Sequence, residues 1–173
     1  MAHRMKPGRP SQPRLSRDAI LTEAMALLDE GEGVLTIRAL ATRLNVAPMA
    51  VQHHIGTRDA LIHALADRAY AGIDGTTLHG LMTAYTATIR RHPNLTLALF
   101  RIAGPLPPEA QRITDRLQTL LGRQGLPDAM ATLWRDILID WAHGMALAQS
   151  PEDPAPALSA LLSALTPARS ATP

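Results

Sequence analysis

The side chains able to do chemistry in this chain are seven histidines, 15 carboxylates and 17 basic residues, with no cysteine. Thiol catalysis, thiolate metal sites and disulfides within the chain are excluded. His53 and His54 are adjacent, and on a helix they point about 100° apart, which suits no shared ion. His63 lies nine residues beyond His54, across a Gly-Thr break at 56–57, and neither HExxH nor a His-x₃-His pair occurs. The sequence implies no metal site and no cofactor. It also lacks a Gly-rich phosphate loop and a nucleophile elbow. Asp136, Asp140 and His143 do recur at helical spacing. Asp140 sits one turn before His143, so the two can bond. They could serve as the acid–base pair of a small helical enzyme, as a polar feature of a ligand cavity, or within a subunit interface.

A second grouping is cationic. From Gly33 to Arg58 there is no Asp or Glu, while Arg38, Arg43 and Arg58 all lie in that window. A surface set against phosphates cannot carry carboxylates without repulsion, so the gap is what DNA docking requires. A short Ala-rich helical hairpin that happens to lack acids is the plainer alternative. Charge is unevenly spread in the whole chain too. The net is +2, yet residues 1–17 hold five basic side chains and no acid, leaving 12 basic against 15 acidic residues in the rest. The positive field is thus expected near the N-terminal end, facing an anionic partner.

The elements that must position these groups are helical. Only five residues are aromatic (Tyr70, Tyr85, Phe100, Trp134 and Trp141), 46% of the chain is hydrophobic, and no stretch shows the alternation of a strand. An all-α fold follows. Residues 1–15, with Pro7, Pro10 and Pro13 and four basic residues, read as a disordered basic arm, whose Pro-Gly-Arg-Pro suits a minor groove or simply a solvated tail. Ser16 caps a helix to about Glu30. Thr36 caps a second to Leu44, stopped by Asn45, which tolerates a left-handed turn. A third opens at Pro48 and runs to about His54. Thr57 caps a fourth over 57–74. Two short helices joined by a tight turn, the second polar and half-exposed, describe a helix-turn-helix over residues 16–56.

Beyond Gly75, apolar spacing predicts helices from Thr76 to His92, Asn94 to Ala103, about Pro107 to Gln124, Pro127 to Ser150 and Ala155 to Leu165. The second of these, nearly all apolar, is expected to be central, and the tail over 166–173 to be disordered. Met82, Tyr85, Phe100, Trp134, Trp141 and His143 lie on these helices and are candidates to line a small-molecule pocket; the same spacing also builds an ordinary helical core. No segment has the apolar core of a signal peptide or the length of a membrane span, so a soluble cytoplasmic protein is expected.

The stretch SRDAILTEAMALLDEGEGVLTIRALATRLNVAPMAVQHHIGTRDALIHAL resembles the N-terminal domain of the TetR (tetracycline repressor) family over about residues 15–70. The likeness is strongest in LTIRALATRLNV and HIGTRDALIHAL. It implies that the third helix lies in the major groove and that the start of the fourth touches the DNA backbone. Arg38 matches an arginine that reads a guanine, His54 the His or Tyr closing the recognition helix, and Arg58 a phosphate-binding basic residue. Ala47, Ala50 and Gln52 depart from a common Ser cap, a DNA-contacting Thr and a phosphate-contacting Tyr. Gln52 thereby becomes a candidate reader of adenine, since its amide can bond N6 and N7 together. Arg38, Met49, Gln52 and His53 are then expected to choose sequence, with Thr36, Pro48, His54 and Arg58 holding the helix and its register.

The resemblance further implies a helical effector-binding and dimerisation domain over 75–165, joined through the fourth helix. It implies a homodimer on a pseudo-palindromic double-stranded operator, more often a repressor than an activator, with a small-molecule effector. A DNA binder without a ligand and the small enzyme built on Asp140 and His143 are the rival readings.

Overall fold

A computed structural model describes residues 15–149 and 151–165. The basic arm, apart from Leu15, and the tail from residue 166 lie outside the described residues. The helices are α1 (Arg17–Glu30), α2 (Ile37–Arg43), α3 (Pro48–Ile55), α4 (Arg58–Tyr70), α5 (Leu78–Arg91), α6 (Pro93–Phe100), α7 (Pro108–Gly122), α8 (Asp128–Leu147) and α9 (Ala155–Ala164), with no strand among the described residues.

Local chemistry sets most of their starts. The hydroxyls of Ser16, Thr36, Thr57 and Thr77 accept from the amides of Ala19, Ala39, Ala60 and Gly80 at 3.0–3.1 Å. Each satisfies an amide that a helix start leaves open, worth about 1 kcal/mol. Ala47 offers α3 no such bond, and Pro48 at its first position needs none. Asn45 ends α2 at φ 54°, the left-handed conformation that asparagine tolerates better than most residues.

One face of each N-terminal helix is buried. Ile20, Ala24 and Leu28 of α1, Leu40 of α2, Val51 of α3, and Leu61, Ile62 and Leu65 of α4 are all fully buried. α2 and α3 form the helix-turn-helix, backed by α1 and α4. The same core continues through Tyr70 and Ile73 into Leu81, Met82 and Ile89 of α5, Leu117 and Leu121 of α7, and Leu138 and Ala142 of α8. α5 packs along α8, which also packs on α7.

Three elements differ from the sequence reading. α4 stops at Tyr70 rather than near residue 74, because the Arg112 guanidinium takes the carbonyls of Tyr70 and Ile73 at 3.3 and 2.9 Å while the chain turns. α6 is shorter: it buries Leu95, Thr96 and Ala98 and packs against α1, α4, α5 and α8, yet leaves Leu97 and Phe100 exposed. α8 ends at Leu147, with Gln149 at φ 50°; Ser150, where the helix was expected to finish, lies outside the described residues. No helix among the described residues is long and apolar enough to cross a membrane.

Candidate nucleic-acid interface and interior cavity

Val51 and Ile55 anchor α3 in the core, which turns Pro48, Met49, Gln52, His53 and His54 outward, all of them exposed. Met49 is 71% exposed, the most exposed of the large apolar side chains among the described residues. The two imidazoles meet edge to face at 6.0 Å between centroids, on different sides of the helix. Thr36 and Arg38 are exposed at the start of α2, with the Thr36 hydroxyl engaged in its cap.

The acid-free window of the sequence does not survive as an acid-free surface in space. Arg43 pairs with Glu30 at 2.7 Å and with Glu23 at 3.7 Å, both on α1. Arg58 folds back over the loop between α1 and α2, donating from Nε to the Leu35 carbonyl at 3.2 Å and from Nη2 to Glu32 at 3.4 Å. Of the three arginines, Arg38 alone has no carboxylate partner among the described residues. Linear charge patterning missed this because the acids that compensate the window precede it in sequence and return to it through the packing of α1.

The second feature is a partly open cavity of about 300 Å³ lined by α4, α5, α6, α7, α8 and the loop before α7. Of the residues expected around a ligand, Tyr85, Phe100 and His143 line it, and Met82, Trp134 and Trp141 do not. Met82 is fully buried in the core. α8 explains the tryptophans. At about 100° per residue, Arg135, Asp136, Ile139 and His143 share one face, which is the cavity wall. Trp134 and Trp141 fall on the opposite face beside Met130, Leu133 and Ile137, which are exposed. The sequence reading grouped Trp134 and Trp141 with His143 only because they lie on the same helix, and the 3.6-residue turn separates them.

Several cavity residues carry no sequence signal: His63 and Tyr70 of α4, Thr96 and Leu99 of α6, Leu106 before α7, and the Arg135–Asp136 pair. Only the packing of five helices assembles them. The Tyr85 hydroxyl and His143 Nε2 are 2.8 Å apart. Burial holds His143 below its ordinary pKa, opposed in part by the charge of Asp140. Burial, reinforced by Tyr70, holds the Tyr85 hydroxyl far above the usual tyrosine value. At neutral pH the ring is therefore uncharged and the phenol protonated, so the two share one hydrogen bond whose direction the imidazole tautomer sets.

The pairing expected between Asp140 and His143 is thus replaced. Asp140 is exposed and acts on the ring only through space, because Tyr85 reaches His143 from the facing helix α5. Phe100 closes edge-on over the same ring at 4.9 Å. Tyr70 lies 6.0 Å from Tyr85, and burial pushes its hydroxyl up to about 12, with the Thr96 hydroxyl opposing slightly. Thr96 Oγ1 is buried and makes no well-formed hydrogen bond among the described residues. The only full charges on the lining, Arg135 and Asp136, neutralise each other at 2.7 Å. The cavity is apolar, uncharged overall and supplied with hydroxyl and imidazole groups.

No protein-family model matches the sequence, and no curated protein matches it. Solved structures do. BioQ in complex with its double-stranded DNA operator superposes with a TM-score of 0.75 at 23% identity, over 88% of this chain and 99% of that one. A TetR regulator from Streptomyces coelicolor gives 0.68 at 23% identity, over 88% and 98%. A TetR variant from Acinetobacter baumannii in complex with minocycline gives 0.63 at 20% identity, over 88% and 91%. The chain has the fold of the TetR-family transcriptional regulators.

Proposed function

We propose that this protein is a TetR-family DNA-binding transcriptional regulator, acting as a homodimeric repressor that a small molecule releases from its operator. The observation that carries the reading is the outer face of α3, where Met49, Gln52 and His53 stand exposed on a helix anchored from behind by Val51 and Ile55. A rigid, solvent-facing helix with an amide, an imidazole and a free apolar side chain suits a major groove. Gln52 would bond adenine, Met49 would pack on a thymine methyl, and Arg38 would reach guanine. BioQ, of the same fold, has been seen on its own operator.

The outward stripe of α8, Met130, Leu133 and Ile137 beside two tryptophans, supports self-association, since an exposed apolar row is more stable when covered. Two copies would place two α3 helices in successive major grooves, about 34 Å apart. The cavity supports an effector that is uncharged and largely apolar, with an oxygen or nitrogen to meet Thr96 and Tyr70. A net charge would go unpaired against the compensated Arg135 and Asp136.

DNA affinity measured by fluorescence anisotropy across a salt series tests the reading. A steep fall with salt is expected, and Arg38→Ala should weaken binding by about 1–3 kcal/mol and relax the preference at the base pair it meets. A salt-independent affinity, or one that Arg38→Ala leaves unchanged, would contradict it.

A further inference from the structure

The loop between α1 and α2 carries one carboxylate that no helix-turn-helix needs. Glu32 has a side chain only 12% exposed, and its two oxygens face different parts of the molecule. Oε1 lies 3.4 Å from Nη2 of Arg58, the first residue of α4, beside the candidate DNA-binding face. Oε2 lies 2.7 Å from Nη1 of Arg101, the residue that closes α6. Phe100, next to Arg101 in the chain, lines the cavity.

The other end of α6 is tied to the same region. His92 meets the Asp29 carboxylate at 2.9 Å, and Asn94 donates to the Leu28 carbonyl at 2.9 Å. A helix that forms a cavity wall is thus fastened at both ends to the terminus of α1 and the loop after it. Only the Arg101 end reaches a residue positioned to meet DNA.

We propose that Glu32 is a positioning residue that couples α6 to the charge available at the start of α4. This rests on the regulator reading above. Two arginines share one carboxylate, so the triad carries a net single positive charge, and Arg58 is only partly neutralised. If Arg101 withdraws, Glu32 turns wholly to Arg58. The guanidinium is then drawn in and neutralised, and a phosphate facing α4 loses its cation. Displacement of Phe100 by a ligand is communicated to the DNA face through Arg101 and Glu32, without any change within α2 or α3. Such a link is a coupling between two sites that a mutational cycle can measure.

The experiment is a double-mutant cycle of Arg101→Gln and Glu32→Gln in the full chain. Affinity for a mixed-sequence duplex is read by anisotropy across a salt series, with thermal melts to establish folding. Arg101→Gln alone should weaken binding roughly threefold to tenfold and reduce the salt slope by about one. Glu32→Gln alone should strengthen binding. In the Glu32→Gln background, Arg101→Gln should have almost no effect; with Glu32 intact, Arg101→Lys should keep wild-type behaviour. Equal effects of Arg101→Gln in both backgrounds, or none in either, would overturn the coupling while leaving the regulator reading intact. Failure of the folded wild-type protein to bind the duplex would overturn both.

Discussion

Tyr85→Phe removes a single oxygen from the cavity wall, and its consequence can be worked from the geometry. The lost bond is 2.8 Å long and joins a buried phenol to an imidazole that burial keeps neutral. Nε2 of His143 then loses its partner, and a polar atom stranded in a buried site costs about 1–3 kcal/mol. For a chain of this size each kcal/mol lowers Tm by roughly 2–4 °C, so a drop of about 2–12 °C is expected. The comparison that isolates the bond is a cycle with His143→Leu, in which both polar partners are gone. The double variant should be less destabilised than the sum of the singles, with a coupling of about 1 kcal/mol or more. The measurement is thermal and denaturant unfolding of the four proteins followed by circular dichroism. Strict additivity would refute the bond between Tyr85 and a neutral His143.

The pH dependence of stability follows from the same ring. A histidine held below its ordinary pKa takes up its proton more readily in the unfolded chain, so stability is retained above the ordinary value of about 6.5 and lost as pH falls below it. The melting temperatures of wild type and His143→Gln should therefore diverge in slope below about pH 6.5, the variant falling less steeply; parallel curves would count against the assignment. Gly75→Ala should destabilise by about 1–3 kcal/mol or more, because its Cβ would lie 2.5 Å from the Leu81 backbone nitrogen; an unchanged denaturation midpoint would show that the loop yields freely. Leu133→Glu, on the exposed stripe of α8, should convert a dimer to a monomer in sedimentation velocity without lowering helix content, and a dimer that persists would place the interface elsewhere.

The order of the helices was legible because local signals set it: hydroxyls at Ser16, Thr36 and Thr57, Pro48 at a helix start and Asn45 at a helix end act within a few residues. The outward set on α3 was expected from the family resemblance rather than from local signals; Val51 and Ile55, which fix which way the helix turns, show themselves only in the packing. Features that depend on residues far apart in sequence were not legible. Arg58 and Arg101 meet Glu32 only after α1, α4 and α6 come together, and an acid-free window says nothing about acids arriving from outside it. The cavity failed in the same way: Met82 belongs to a helix that does border it, yet points into the core, while His63 and Thr96 face it with no motif around them.

The central claim, sequence-specific DNA binding through α3, is met most directly by selecting bound duplexes from a random library with the purified full chain. The expected result is a two-fold symmetric consensus with half-sites about one helical turn apart or slightly more, including an adenine whose preference disappears in Gln52→Ala. No enrichment by a folded, dimeric protein would contradict the claim.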